Sequence, residues 1–188
     1  MNRPPFRGQS IIDNSTIAYN YAFTGGGSIR FYGGIPAKVF TSTIAGNSTC
    51  CYDGGNGILA SPGSATVGQA IVANNFNRGG YDDIAGSFKI YSSLVRSPGG
   101  ASITGGTGAL FGVDPKLGAL GVNGGPTLTM LPAADSPAVD VDSDCFSANS
   151  AHDQRGVTRC VNGYLDWGAV ERQIPEVMIF RNGFDPGG

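Results

Sequence analysis

The sequence predicts an all-β chain, wound as a right-handed parallel β-helix and closed by an irregular C-terminal cap. Three observations predict it. A short unit recurs as Ser15-Thr16-Ile17-Ala18-Tyr19-Asn20, Ser42-Thr43-Ile44-Ala45-Gly46-Asn47 and Gln69-Ala70-Ile71-Val72-Ala73-Asn74, each copy 27 residues after the last, and a fixed period in this range marks a repeat architecture. The unit is short, β-branched and bounded by glycine and asparagine, which reads as strand plus turn rather than helix. Equivalent positions then fall into columns one rung apart, as stacked coils require.

Each column has a role. Ile17, Ile44 and Ile71 form an inward apolar column, and Ile12, Val39 and Thr66 a second. Asn20, Asn47 and Asn74 form a third, where stacked amides can hydrogen-bond along the axis. Gly27 and Gly54 sit one period apart and suit a repeated corner of positive φ. The regular coils span about 11–95. From Gly79 the pattern loosens, 97–108 is rich in Ser, Gly and Thr, and about 110–171 is turn-rich. This last stretch is expected to cap the final coil, whose strand edges and core would otherwise be open. Residues 1–171 thus read as one domain and 172–188 as a tail.

Composition bounds the function. The 188 residues are 40% hydrophobic with 31 glycines, enough for one cored domain. Twelve basic residues face 14 acidic ones, so no basic face for nucleic acid is expected. No apolar run reaches membrane-spanning length. The surface is left to Ser, Thr, Asn and Gly, which suits an extracellular protein or one that meets sugars. Met1-Asn2-Arg3-Pro4-Pro5 leads into no hydrophobic segment, and nothing before Ile11, Ile12 and Ile17 resembles an N-terminal cap. Upstream coils and an export signal are therefore expected beyond Met1.

Of four cysteines, Cys145 and Cys160 bracket a polar loop and are expected to form a disulfide; free thiols or metal ligands are the alternatives, and the spacing fits no Cys/His metal site. Cys50 and Cys51 are adjacent and stay unassigned.

The C-terminal part carries an ordered signature: Asp114-Pro115-Lys116-Leu117-Gly118-Ala119-Leu120, Asn123-Gly124-Gly125-Pro126-Thr127, Ser136-Pro137-Ala138-Val139-Asp140, Asp153-Gln154-Arg155-Gly156 and Asp166-Trp167-Gly168-Ala169-Val170-Glu171. It resembles the end of the choice-of-anchor Q β-helix proteins of bacterial surfaces. The coils upstream resemble those of the same proteins and of polymorphic outer-membrane proteins, on the pectin-lyase-like fold. The ending Ile179-Phe180-Arg181-Asn182-Gly183-Phe184-Asp185 is similar to short tails on exported proteins of Gram-negative bacteria. The resemblance covers roughly residues 10–171 and implies secretion or surface display, with no catalytic function common to the family. Family members are normally longer. Within the signature Arg155 is expected to tie two loops together by pairing with a carboxylate, Asp140 or Asp166.

Candidate chemistry is sparse. Asp82-Asp83 is a paired carboxylate, the raw material of glycoside hydrolysis. The Asn-Thr-Asp, Gly-His-Gly and Arg-Ile-Lys motifs that accompany such a pair in polygalacturonases are missing, so Asp83 reads as a turn residue. Asp13 and Asp53 do not share a column, as a Ca²⁺-dependent lyase site would want. His152-Asp153 lacks the context of a triad. Asp140, Asp142 and Asp144 begin like a calcium loop, but Cys145 and Ala151 stand where glycine and glutamate are needed. No catalytic residue, metal ligand or cofactor is assigned. The expectation is a non-catalytic, adhesin-like surface module forming the C-terminal part of a larger protein. A polysaccharide lyase or hydrolase on the same fold is the alternative. The partner is left open between a surface polysaccharide and another protein.

Overall fold

The computed structural model describes residues 8–23, 26–50, 54–143, 145 and 150–173, and the chain winds as a parallel β-solenoid of about three turns. No helix occurs among the described residues.

The first coil is β1 (Ser10–Asp13), β2 (Thr16–Ala18) and β3 (Tyr21–Ala22). The second is β4 (Ile29–Phe31), β5 (Ala37–Phe40), β6 (Thr43–Ala45) and β7 (Ser48–Thr49). The third is β8 (Ile58–Gly68), β9 (Ile71–Ala73) and β10 (Phe76–Asn77), which folds back on β11 (Gly80–Tyr81). Then β12 (Ile84–Tyr91), β13 (Leu94–Val95), β14 (Ser102–Gly105) and β15 (Leu110–Phe111) wind on, with no further strand on the third side among the described residues. Three sheets result: β1-β5-β8-β12-β14 with β4 beside β8, β2-β6-β9-β13-β15, and β3-β7-β10-β11. The pairings between these strands are parallel except for the β10–β11 hairpin.

The period is not constant, and this corrects two expected columns. Coils one and two are 27 residues apart, coils two and three 28, and coils three and four 23. Ile17 and Ile44 are in register, but the next rung is Val72, not Ile71. Likewise Ile12 and Val39 stack on Val67, not Thr66. Val39, Ile44, Val67 and Val72 are fully buried in one core with Ile58, Ile84, Phe88 and Ile90, and Ile12 and Ile17 pack against it. Ile11 is 51% exposed because its side chain lies on the outer face, beside Lys38.

Corners are built by left-handed residues. Asn14, Thr41, Gln69 and Ser92 follow the ends of β1, β5, β8 and β12 with φ of 50°, 41°, 48° and 39°. Tyr19, Gly46 and Asn74 turn the chain from the second sheet to the third with φ of 57°, 68° and 61°. Asparagine tolerates this region and glycine prefers it. The other expected corner moves by one residue: Gly26 and Gly55 hold the positive φ (80° and 77°), not Gly27 and Gly54.

The C-terminal stretch is irregular, as expected, and it also covers the side of the solenoid. It runs back along the outer face of the second sheet, from Leu110 and Leu117 down to the first coil. Ile71, Ala73, Leu94, Ala138 and Trp167 form a second buried cluster there. Gly168 donates its N–H to the Gln69 carbonyl and Ala169 donates to Thr43 Oγ1. Thr16 Oγ1 donates to Gln154 Oε1 at 2.6 Å. The second sheet is therefore buried on both faces, which explains why β6, β9 and β13 read Thr-Ile-Ala, Ile-Val-Ala and Leu-Val without polar alternation.

Candidate functional site

Three places hold polar or aromatic side chains in defined arrangements: the amide ladder, the charged seam under the cover, and the outer faces of the first and third sheets.

The ladder runs Asn20–Asn47–Asn75, so Asn74 is not a rung. Asn20 Nδ2 donates to Asn47 Oδ1 at 3.0 Å, and Asn47 Nδ2 to Asn75 Oδ1 at 2.8 Å. Asn75 Nδ2 donates to Asp83 Oδ1 at 2.8 Å, so a carboxylate ends the row. Asn74 instead occupies the left-handed corner, where its Oδ1 accepts from Arg96. Asp83 is fully buried and also accepts from the backbone N–H groups of Asn75 and Ser97. Burial pushes its pKa up to about 6, against the lowering effect of those bonds. Asp82 accepts from the Gly55 N–H at 3.1 Å, and burial raises its pKa too. The paired carboxylate is thus built into the turn between the ladder and the fourth coil.

The seam lies between the cover and the second sheet. Asp153, 2% exposed, accepts from the N–H groups of Arg155, Val157 and Glu171 and from Arg155 Nε at 2.9 Å. Arg155 Nη2 is 2.8 Å from Asp153, and Nη1 donates to the Asn123 carbonyl. Arg155 does tie loops together, as expected, but its carboxylate is Asp153 rather than Asp140 or Asp166. Asp166 accepts from the N–H groups of Asp140 and Arg172, and burial raises its pKa. Arg159, 2% exposed, donates from Nη2 to Asn14 Oδ1 at 2.8 Å and to the Gly168 carbonyl at 3.0 Å. Burial lowers its pKa, opposed by Glu171, Asp153, Asp13 and Asp166 around it. Glu171 accepts from the Asp166 N–H, and burial pushes its pKa up to about 7. Arg159 was not singled out in the sequence. A lone arginine beside Cys160 carries no motif, and only the fold brings Asn14 and Gly168 to it.

Cys145 and Cys160 form the disulfide, with Cα atoms 5.4 Å apart. Cys50 is a free thiol whose Sγ donates to the Phe23 carbonyl, while Cys51, Asp53 and Asp144 lie outside the described residues. His152 is exposed; its carbonyl accepts from Asn14 Nδ2 and from Ser150 Oγ. Among the described residues, no three His, Cys, Asp or Glu side chains gather as a metal site, and no helix is long and apolar enough to cross a membrane.

Two open grooves are lined by described residues. One, of about 150 Å³, lies where the first sheet meets the cover, between Phe40 and Tyr91, with Gly68, Gln69, Ser92 and Asp142 around it. Gln69 Nε2 donates to Asp142 Oδ2 there. The other, about 330 Å³, lies on the third sheet between Tyr21 and Phe76, over Ser48. Comparison with protein-family models, with curated proteins and with solved structures finds no match.

Proposed function

We propose that the chain is a non-catalytic module of the extracellular space or cell surface, adhesin-like or used in display, and akin to the choice-of-anchor Q β-helix proteins its C-terminal signature resembles. The observation that carries the reading is the employment of the acidic residues. Asp83 ends the amide ladder, Asp153 collects three backbone N–H groups and Arg155, and Asp166 and Glu171 hold the turns of the cover. Carboxylates committed in this way hold loops together. The Cys145–Cys160 bridge supports an oxidising compartment, where small β-rich domains use such cross-links.

The test is exposure to candidate substrates and to the outside of the cell. Polygalacturonate and alginate incubated with the protein and Ca²⁺ should yield no unsaturated or shortened products, and protease shaving of intact producing cells should release its peptides. Steady release of oligosaccharides would replace this reading with a polysaccharide-degrading enzyme.

A further inference from the structure

The third sheet carries a row of outward rings. Tyr21, Ser48 and Phe76 share one register position across β3, β7 and β10, and Tyr81 pairs with Phe76 across the hairpin. Tyr21 is 65% exposed, Phe76 45% and Tyr81 59%. The rings of Phe76 and Tyr81 meet edge-on at 6.4 Å, so the two hold each other in place. Tyr21 and Phe76 stand two rungs apart, about 9.6 Å along the axis at the usual strand spacing. Ser48 between them is small, which opens the groove of about 330 Å³.

Among the described residues that line it, the one charged side chain is basic. Arg78 lies on the groove, is exposed, and makes no ion pair or hydrogen bond with any described residue. Arg96 sits over the Tyr81 ring at 5.6 Å, at the edge of the row, with Asp114 3.5 Å from its other side. Among the described residues no carboxylate lines the groove, although the chain as a whole carries a net charge of −2. Ser48 and Asn77 supply a hydroxyl and an amide.

We infer that this groove binds an anionic polysaccharide, a chain bearing uronate carboxylates, laid along the solenoid axis. The inference rests on the reading of the chain as a non-catalytic surface module and names its ligand class. Aromatic rings present flat apolar faces to the C–H face of a pyranose, while hydroxyl and amide groups meet the ring hydroxyls. The rung spacing is close to the advance per sugar of an extended, diequatorial 1→4-linked chain. Such a chain with a two-fold repeat turns the same face outward at every second sugar. Rings at every second rung, with a small residue between, match that period. Arg78 then meets a carboxylate, which a guanidinium can hold by two parallel hydrogen bonds. A protein partner would favour a continuous apolar centre, and Ser48 interrupts the row.

The test uses two probes of one shape, β-1,4-linked hexamannuronate and its neutral counterpart mannohexaose, in calorimetric titrations of the full chain. Hexamannuronate should bind saturably and at least about tenfold more tightly than mannohexaose at low salt, with the difference shrinking as salt rises. Tyr21→Ala and Phe76→Ala should each weaken hexamannuronate binding by roughly tenfold. Arg78→Ala should bring hexamannuronate down to the level of mannohexaose. Tyr164→Ala, an exposed ring on the cover, should change nothing. All four sites are exposed, so melting curves should match the parent's and folding is not confounded. Absence of saturable binding, equal affinity for the two probes, or indifference to Tyr21→Ala and Phe76→Ala would overturn the inference. So would a protein ligand that needs Tyr21 when hexamannuronate does not bind. Shortening of the probe in the same titration would count against the non-catalytic reading, whereas lost binding without shortening counts against the groove alone.

Discussion

The coils and the cover reach order by opposite routes. In residues 10–111 the backbone does most of the work: strands pair in register with neighbours above and below, and side chains fill a core of Ile, Val and Phe. In residues 114–173 the described strand pairing is reduced to five isolated bridges. Side chains bonded to backbone take over, gathered on Asp153, Arg155, Arg159, Asp166 and Glu171. A repeated coil can rely on non-directional burial because each rung repeats the last. An irregular cover has no such template, so it must specify its turns one hydrogen bond at a time. Buried charges do this well, because an unpaired one is costly.

The largest effect should come from the coils. Ile44→Asp places an unpaired charge at a fully buried position and should abolish cooperative folding, leaving aggregated or protease-sensitive protein. Unchanged melting would mean that Ile44 does not face the core.

The cover should be next. Asp153→Asn removes the charge that balances Arg155 and Arg159, and a broken buried pair typically costs about 3–5 kcal/mol. Loss of the disulfide by Cys160→Ser should cost less, about 3 kcal/mol on the loop-entropy account. Thermal melting of both variants measures the order.

Within the ladder, two neighbouring asparagines separate structure from sequence. Asn75→Ala should cost about 2–3 kcal/mol, since it strips partners from Asn47 and Asp83. Asn74→Ala should cost about 1 kcal/mol, from the left-handed corner and the part-buried bond that Arg96 donates to it. Denaturant titration of the pair checks this. The reverse order would restore Asn74 as the rung.

That pair also shows how much was legible. The first interval of 27 residues is true of the fold, and it identified the solenoid, Ile17, Ile44, Asn20 and Asn47. The next coil carries one extra residue, which moves Ile71 and Asn74 out of their columns and puts Val72 and Asn75 in. Sequence similarity favoured the wrong members because Ile71 repeats isoleucine and the Asn74-Asn75 doublet hides the slip. The structure gives Ile71 a different job, holding the cover with Trp167 and Leu94. The cover's disulfide was visible from its cysteines, but its place along the second sheet was not. Apolar strands buried on both faces look the same in sequence as strands buried on one face beside short turns. The Arg155 motif is legible in the sequence, but its partner is Asp153, two residues away, and spacing alone does not distinguish that short-range pairing from one with the distant Asp140 or Asp166.

A smaller effect concerns pH. Glu171 has its pKa raised to about 7 by burial, so the folded state holds its proton more tightly than the unfolded one. Its contribution to stability is full below the ordinary carboxyl range, near 4.5, and is lost as pH rises through about 7. Glu171→Gln should therefore raise the melting temperature at pH 8 and leave it nearly unchanged at pH 4.5. Equal shifts at both values would assign the effect to packing.

Amide hydrogen exchange on the parent and on Asp153→Asn tests most directly whether the cover is a separately held layer. In the variant, protection should fall across the cover, at the N–H groups of Arg155, Val157, Gly168 and Ala169, while Val39, Val67 and Ile90 in the coils exchange as slowly as before. Loss of protection at those three coil positions in step with the cover would contradict the account, as would a cover whose exchange is unaltered.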